Sequence, residues 1–368
     1  MKDKKIKIRI MTDLHHLSKK LYDGGSAFQQ VIRSTAGTLS EYSEEILLAF
    51  RDRILQSDCD VLVVPGDLTF NGEMQSLREV KAVLEGIREA GIPVLVLPGN
   101  HDIRHRRAHA YRGDRVLDTE IVTQEGFRRM MHMFGPGGAE ACDEASFSYL
   151  YRIADDLSFL LLDANTEALP GAVLPETLAW AESQLEKARE DGVTVISVSH
   201  QNALCQSRYM DKGFVLHNRE ETVQLLKQYG VFLHLSGHSH LSGTACDGQL
   251  TDICSESISV YPLQYGAVNV AEDRKSFESS CIRLGILQEE AKARFDETIR
   301  RFVQTELGST LTDSSEGDKL LQFACRICSA YFRGDAYSMD EEDEYAWDLW
   351  QRTAPHSFWK KYIESILH

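Results

Sequence analysis

The chain has 368 residues, enough for one large core with an appendage, and its 43% hydrophobic and 26% charged residues describe an ordinary globular protein. With 40 basic against 56 acidic residues the formal net charge is −16, which disfavours extended nucleic acid as a ligand, because phosphate-backbone contacts call for a basic surface. A small anionic substrate stays open, since bound metal charge outweighs a distant acidic surface.

The basic start passes straight into alternating Ile6-Lys7-Ile8-Arg9-Ile10, which reads as a half-buried strand and not as a signal peptide. Strand character over 6–11 is followed by Asp13-Leu14-His15, and 27–56 reads as a helix. A strand over 61–65 precedes Gly66-Asp67, a helix covers 73–90, and a strand over 94–98 precedes Gly99-Asn100-His101-Asp102. Arg104, Arg106 and Arg107 follow closely, suited either to a phosphate or to a solvated surface. An antiparallel hairpin is predicted over 146–153 and 157–163, then a helix over 175–191. A strand over 193–199 ends at His200, His217 precedes a helix over 219–229, and a strand over 231–236 precedes Gly237-His238-Ser239-His240. His234, within that strand pattern, reads as buried, and His217 as a candidate for lining a pocket. Runs at 253–261, 267–271 and 279–284 predict a meander forming much of a second sheet. The alternation of strands and helices through residue 240 predicts α/β architecture.

Gly285 opens a different regime. Residues 287–307, 319–332 and 341–366 carry helical periodicity around a polar break at 308–317, so the chain divides into 1–284 and a helical appendage, 285–368. The acids 340–344 read as a helix start, where negative charge is favoured. Trp347, Trp350, Phe358 and Trp359 recur at helical spacing, as core or as a face for self-association into a homo-oligomer. Eight scattered cysteines without an export signal point to reduced thiols and a cytoplasmic protein, and Cys325-x-x-Cys328, inside a helical apolar pattern, reads as two buried thiols. No run of about 18 apolar residues appears, so no membrane span is expected.

Five blocks thus sit directly after strands, where open α/β sheets build sites at one rim. Carboxylates, imidazoles and an amide converging there repel one another unless positive charge lies among them. Two metal ions about 3.5–4 Å apart meet that demand and clamp a phosphoryl group. Each block has a plainer reading as well. Asp13 and His15 suit a surface loop, Asp67 a helix N-cap, Gly99–Asp102 a polar turn, and His200 a satisfied core histidine. Asn100 offers a neutral amide oxygen that adds no repulsion to an anionic cage. His101 beside it is free to face substrate as a proton donor or charge stabiliser, with Asp102 placed to orient its ring.

The ordered set D-x-H, G-D, G-N-H-D, H and G-H-x-H resembles the calcineurin-like metallophosphoesterase superfamily over roughly residues 5–270. The resemblance implies a four-layer αββα sandwich of two mixed sheets. It implies one metal on Asp13, His15, Asp67 and His240, and a second on Asp67, Asn100, His200 and His238. Asp67 would bridge, and a bridging hydroxide would attack phosphorus. Imidazole and carboxylate donors suit manganese or iron, or zinc. Phe70 stands where purple acid phosphatases carry a tyrosine ligand, and no Asp-Arg-Gly follows Asp67 as it does in Ser/Thr protein phosphatases. Asp67-Leu68-Thr69, Gly72-Glu73 and Gly99–Asp102 are similar to the class III cyclic-nucleotide phosphodiesterase branch. A small phosphodiester such as a cyclic nucleotide is the substrate that branch implies. The alternatives are a phosphomonoester, less readily a nuclease substrate, or a non-catalytic scaffold role.

Overall fold

The structure, a computed structural model, describes residues 5–308 and 314–367. The first four residues of the basic start, and 309–313 of the predicted polar break, lie outside them. Strand β1 (Ile6–Ile10) runs parallel to β2 (Val61–Val64), which runs parallel to β3 (Val94–Val96). The unbroken apolar run of β2 is buried along its whole length, as a central strand requires. Strands β13 (Gln264–Val270) and β14 (Phe277–Arg283) add antiparallel beside β1, giving the order β14-β13-β1-β2-β3. Helices α2 (Ser43–Leu55) and α3 (Met74–Glu89) cover this sheet, with Phe50 edge-on to Tyr265 at 5.1 Å between ring centroids.

The second sheet has seven strands, β6 (Ala141–Cys142), β7 (Tyr149–Ala154), β8 (Leu157–Leu161), β9 (Thr194–Val198), β10 (Leu233–Ser236), β11 (Gly243–Cys246) and β12 (Thr251–Cys254). Their order is β11-β12-β10-β9-β8-β7-β6. Period-two alternation decides what each face buries. Phe159, Leu161, Ile196 and Val198 enter the core between the sheets, whereas Leu160, Leu162 and Val195 pack outward. That outer face carries Ala181 and Leu185 of α5 (Pro175–Glu190) and Leu226 of α6 (Arg219–Gln228). The result is the four-layer αββα sandwich expected from sequence.

Three predicted elements differ. The helix over 27–56 is two, α1 (Ser26–Arg33) and α2, because Ser34-Thr35 turn back on Val31 and Ile32 and Gly37 takes φ +92°. The predicted meander is split between sheets: β11 and β12 extend the second, while the chain then crosses to lay β13 on β1. The helix over 341–366 breaks at Ala354-Pro355, since the residue before proline avoids helical backbone. A two-stranded hairpin, β4 (His109–Arg112) and β5 (Arg115–Asp118), and the short α4 (Gln124–Met131) carried no signal strong enough to be read.

After β14 come α7 (Gln288–Leu307), α8 (Ser315–Phe332), α9 (Glu341–Thr353) and α10 (Phe358–Leu367). Asp340 caps α9 by accepting from Asp343 N at 2.9 Å, as the acidic run predicts. Phe323, Trp350, Ile327 and Ile363 form the centre of this helical layer, so Trp350 is core, while Phe358 is exposed. Cys325 and Cys328 are buried and unbridged, and burial holds both thiols well above their ordinary range. The layer docks on the sandwich through Arg294 to Glu41 at 2.5 Å, Arg301 to the Thr35 carbonyl at 2.9 Å, and Gln288 to the Pro262 carbonyl at 2.9 Å. It therefore braces residues 35–41.

Candidate metal centre and active site

The loops leaving β1, β2, β3, β9 and β10 meet at one rim of the sandwich. Backbone bonds lock the first two together: Asp13 N donates to the Gly66 carbonyl at 3.1 Å and His15 N to the Asp67 carbonyl at 3.0 Å. Gly66, at φ +119°, passes so close to β3's loop that a Cβ would lie 2.6 Å from Gly99 N and 2.8 Å from His200 Nδ1. Asp13, His15, Asp67, His238 and His240 all adopt left-handed backbone, with φ between +48° and +67°. Such conformations cost about 1–2 kcal/mol each for L-residues, so the surrounding packing must hold them. Strain of this kind concentrates where side chains are aimed for function.

The donors gather into three overlapping sets: Asp13, His15 and His240; His15, Asp67 and His101; Asp67, His200 and His238. His15 Nε2 lies 3.1 Å from His240 Nε2, and His200 Nε2 lies 3.0 Å from Asn100 Oδ1 and 3.2 Å from His238 Nδ1. Asp67 Oδ2 stands between the sets, 3.7 Å from His15 Nε2 and 3.4 Å from His200 Nε2. Among the described residues Asp13 Oδ1 is buried without a hydrogen-bond partner, 3.3 Å from His240 Nε2. Imidazole nitrogens turned toward one another, with an orphaned buried carboxylate oxygen among them, fit cations placed between them far better than a closed hydrogen-bond network.

Outer contacts set which nitrogen faces inward. His200 Nδ1 donates to the Pro65 carbonyl at 2.9 Å and His238 Nε2 to the Gly213 carbonyl at 2.7 Å, freeing the opposite nitrogens. Thr12 Oγ1 and His238 N donate to Asp13 Oδ2 at 2.7 and 2.9 Å, and Ser257 and Ser259 hold the Asp13 carbonyl. Burial opposes charge on Asp13, yet His240 and His200 hold its carboxyl below the ordinary range; Asp67 is lowered likewise against burial, chiefly by His200 and His101. His200, despite burial, is raised to about 9 by Asp67 and Asp13. Burial lowers His15 to about 3, helped by His101, and His238 to about 4, helped by His200. His15 and His238 are thus poised neutral, as metal ligation requires.

His101 projects beside the donors. Its N–H donates to Asp67 Oδ1 at 2.8 Å, and its Nδ1 sits 2.8 Å from the Phe70 carbonyl and 3.1 Å from Asn71 Oδ1. Here the expectation for Asp102 is corrected. Its carboxylate turns away from the ring and accepts from Leu68 N, Thr69 N, Thr69 Oγ1 and Gly99 N at 2.8–3.2 Å, so it ties the two loops together. The Phe70 carbonyl orients the ring instead. His105 stacks on His101 at 4.7 Å between centroids, a contact that the sequence order alone did not reveal.

Arg104 lines a cavity of about 550 Å³ beside Asn100, where its Nε is paired with Glu167 at 2.8 Å. A second cavity, about 450 Å³, is lined by His15, Phe70, His101, Arg107 and His240 and walled by 34–38. His217 is not part of the centre: its N–H is tied to the Gly171 carbonyl, and it lines a separate cavity walled by 211–221 that includes none of the clustered donors. His234 is buried between Ser197 and Ser199 hydroxyls at 2.8 and 2.9 Å, and His16 between Ser43 and Glu79 at 3.0 Å, so both are structural.

The two-sheet sandwich thus carries at one rim an acid- and histidine-rich cluster suited to a pair of metal ions. The chain belongs to the calcineurin-like phosphoesterase family, whose model matches residues 6–242. A probable cyclic nucleotide phosphodiesterase from Fibrobacter succinogenes is 26% identical over 184 residues, 50% of this chain and 58% of that protein, so the match spans under two thirds of it. A probable glycerophosphodiester phosphodiesterase from Arcobacter nitrofigilis is 24% identical over 221 residues, 59% of this chain and 68% of that one. Among solved structures, a dimetal phosphatase from Danio rerio superposes with TM-score 0.52 at 15% identity, over 74% of this chain and 98% of that one. A purple acid phosphatase from yellow lupin gives 0.51 at 13%, over 77% and 52%. Both likenesses are of fold. Among the described residues no helix is long and apolar enough to cross a membrane.

Proposed function

We propose that the chain hydrolyses small phosphodiesters, cyclic nucleotides or related nucleotide diesters, at a dinuclear centre. Asp13, His15, Asp67 and His240 would hold one ion, and Asp67, Asn100, His200 and His238 the other. The observation that carries this reading is Asp67 Oδ2 standing within 3.7 Å of a histidine from each set, a bridging carboxylate's position. Bound cations supply a lowered water pKa and neutralise charge on the phosphoryl group. Manganese or iron suits these donors best, with zinc as the other choice. His101, with Nδ1 held by Phe70, is the acid for the departing alkoxide, and Asp102 is a positioning residue for the loops that carry His101 and Asp67.

The names of the two relatives favour a diester. So does the −16 net charge, because a diester carries one negative charge fewer than a monoester dianion. The cavities on either side of Asn100 and His101 suit one substituent each, with Arg107 lining both and Arg104 at the mouth of one. We treat 285–368 as a cap that braces the rim and offers exposed Phe302 and Phe358 for self-association. Eight unbridged cysteines suit a reducing, cytoplasmic setting. Specificity constants for a nucleotide diester and its matching monoester, measured with the same metal, test the substrate class. A diester preference is expected. A monoester preference of about tenfold, about 1.4 kcal/mol in transition-state binding, overturns it in favour of a phosphomonoesterase.

A further inference from the structure

Away from the metal rim, the two sheets end side by side in edge strands, β11 of the second and β14 of the first. Open edges normally need cover. Here the turn Arg333–Asp335, which follows α8, supplies part of it, and a cavity of about 550 Å³ remains between the edges and that turn. Its lining is polar and includes Ser255, Glu256, Cys281 and Arg283.

Two of these groups are unsatisfied. Glu256 is 2% exposed, and its Oε2 accepts from the Cys281 thiol at 3.5 Å, while Oε1 is buried without a hydrogen-bond partner among the described residues. Ser255, 1% exposed, has a buried Oγ that likewise finds no hydrogen-bond partner among the described residues. Nothing in the phosphoester chemistry uses either residue. Leaving a buried carboxylate oxygen unpaired costs more than an ordinary lost hydrogen bond, and burial pushes this carboxyl up to about 7. Arg333 is paired with Asp335 at 2.7 Å, but Arg283, exposed on β14, has no ion pair among the described residues. A carboxylate oxygen and a guanidinium that do not answer each other therefore line one cavity of a size typical for small ligands.

We propose that this cavity is a second ligand site, which takes a small primary amine that also carries an anionic group. The ammonium, with three donors and no acceptor, meets Glu256 and Ser255, and the anionic end turns toward Arg283. The inference is independent of the substrate class at the metal rim.

Calorimetric titration of the full chain with γ-aminobutyrate, lysine, ethanolamine and butyrate tests it. γ-Aminobutyrate and lysine are expected to bind about tenfold or more tightly than ethanolamine or butyrate. Glu256→Gln should weaken γ-aminobutyrate about tenfold, and Arg283→Ala should bring it to the level of ethanolamine. Absence of binding by both amino acids up to about 10 mM overturns the proposal, as does equal binding of ethanolamine or butyrate. Unchanged affinity in Glu256→Gln overturns it too. Should that variant fail to fold, unchanged affinity in the exposed Arg283→Ala does the same.

Discussion

Replacing His101 with alanine separates proton donation from metal binding. The Phe70 carbonyl, 2.8 Å from Nδ1, can only accept, so that nitrogen carries a proton. Nε2 then acts as an acid only from the doubly protonated ring, passing its proton to a leaving alkoxide. Loss of such a donor costs about 10²–10⁴-fold in rate, about 3–5 kcal/mol. An alkyl leaving group needs that proton and p-nitrophenolate does not, so the loss should fall heavily on an alkyl diester and lightly on bis-p-nitrophenyl phosphate. The backbone N–H to Asp67 Oδ1 survives the substitution. The ring also packs edge-on against His15 at 4.8 Å between centroids, so metal content is measured on the same preparation and should be unchanged. Equal loss on both substrates, with metal retained, would refute the proton-donor role.

Two further outcomes follow from burial and docking. Burial pushes the Glu73 carboxyl up to about 8 from 4.5, and its Oε1 has no hydrogen-bond partner among the described residues. The folded state therefore keeps a proton that the unfolded chain releases. Stability from this group is complete below pH 4.5, declines through that window and is gone above about 8. Glu73→Gln should raise Tm relative to wild type near about pH 8.5 and change it little at acid pH; a pH-independent difference in Tm contradicts this. Truncation after Gly285 removes the braces on Glu41 and Thr35 and uncovers Val260 and Tyr261. A raised KM and poorer solubility are expected, and a soluble truncated chain with unchanged kinetics shows the cap to be dispensable.

The donors of the candidate centre were legible because each lies immediately after a strand, and short apolar runs ended by Asp, Asn or His are local signals. The ends of β1, β2, β3, β9 and β10 do bring them together. What sequence missed depends on partners without side-chain identity. A backbone carbonyl, that of Phe70, holds His101, whereas the adjacent Asp102 spends its oxygens on amides of the neighbouring loops. Ser257 and Ser259, which hold the Asp13 carbonyl, stand more than 240 positions away from it in the chain. His217 lines a cavity, as its place before a helix suggests, but that cavity holds none of the clustered donors, and which cavity a loop histidine joins has no local signal in sequence. In the fold, the crossing from β12 to β13 escaped notice for a related reason: alternating strands show which face is buried and not which sheet receives them.

Metal content per folded chain is the most direct measurement. Elemental analysis of protein purified without chelator should find about two transition-metal ions per chain, and Asp67→Ala should lose both because its carboxylate serves each set. A wild-type chain that is folded and metal-free, and that gains neither bound metal nor turnover when manganese is supplied, would contradict the dinuclear centre.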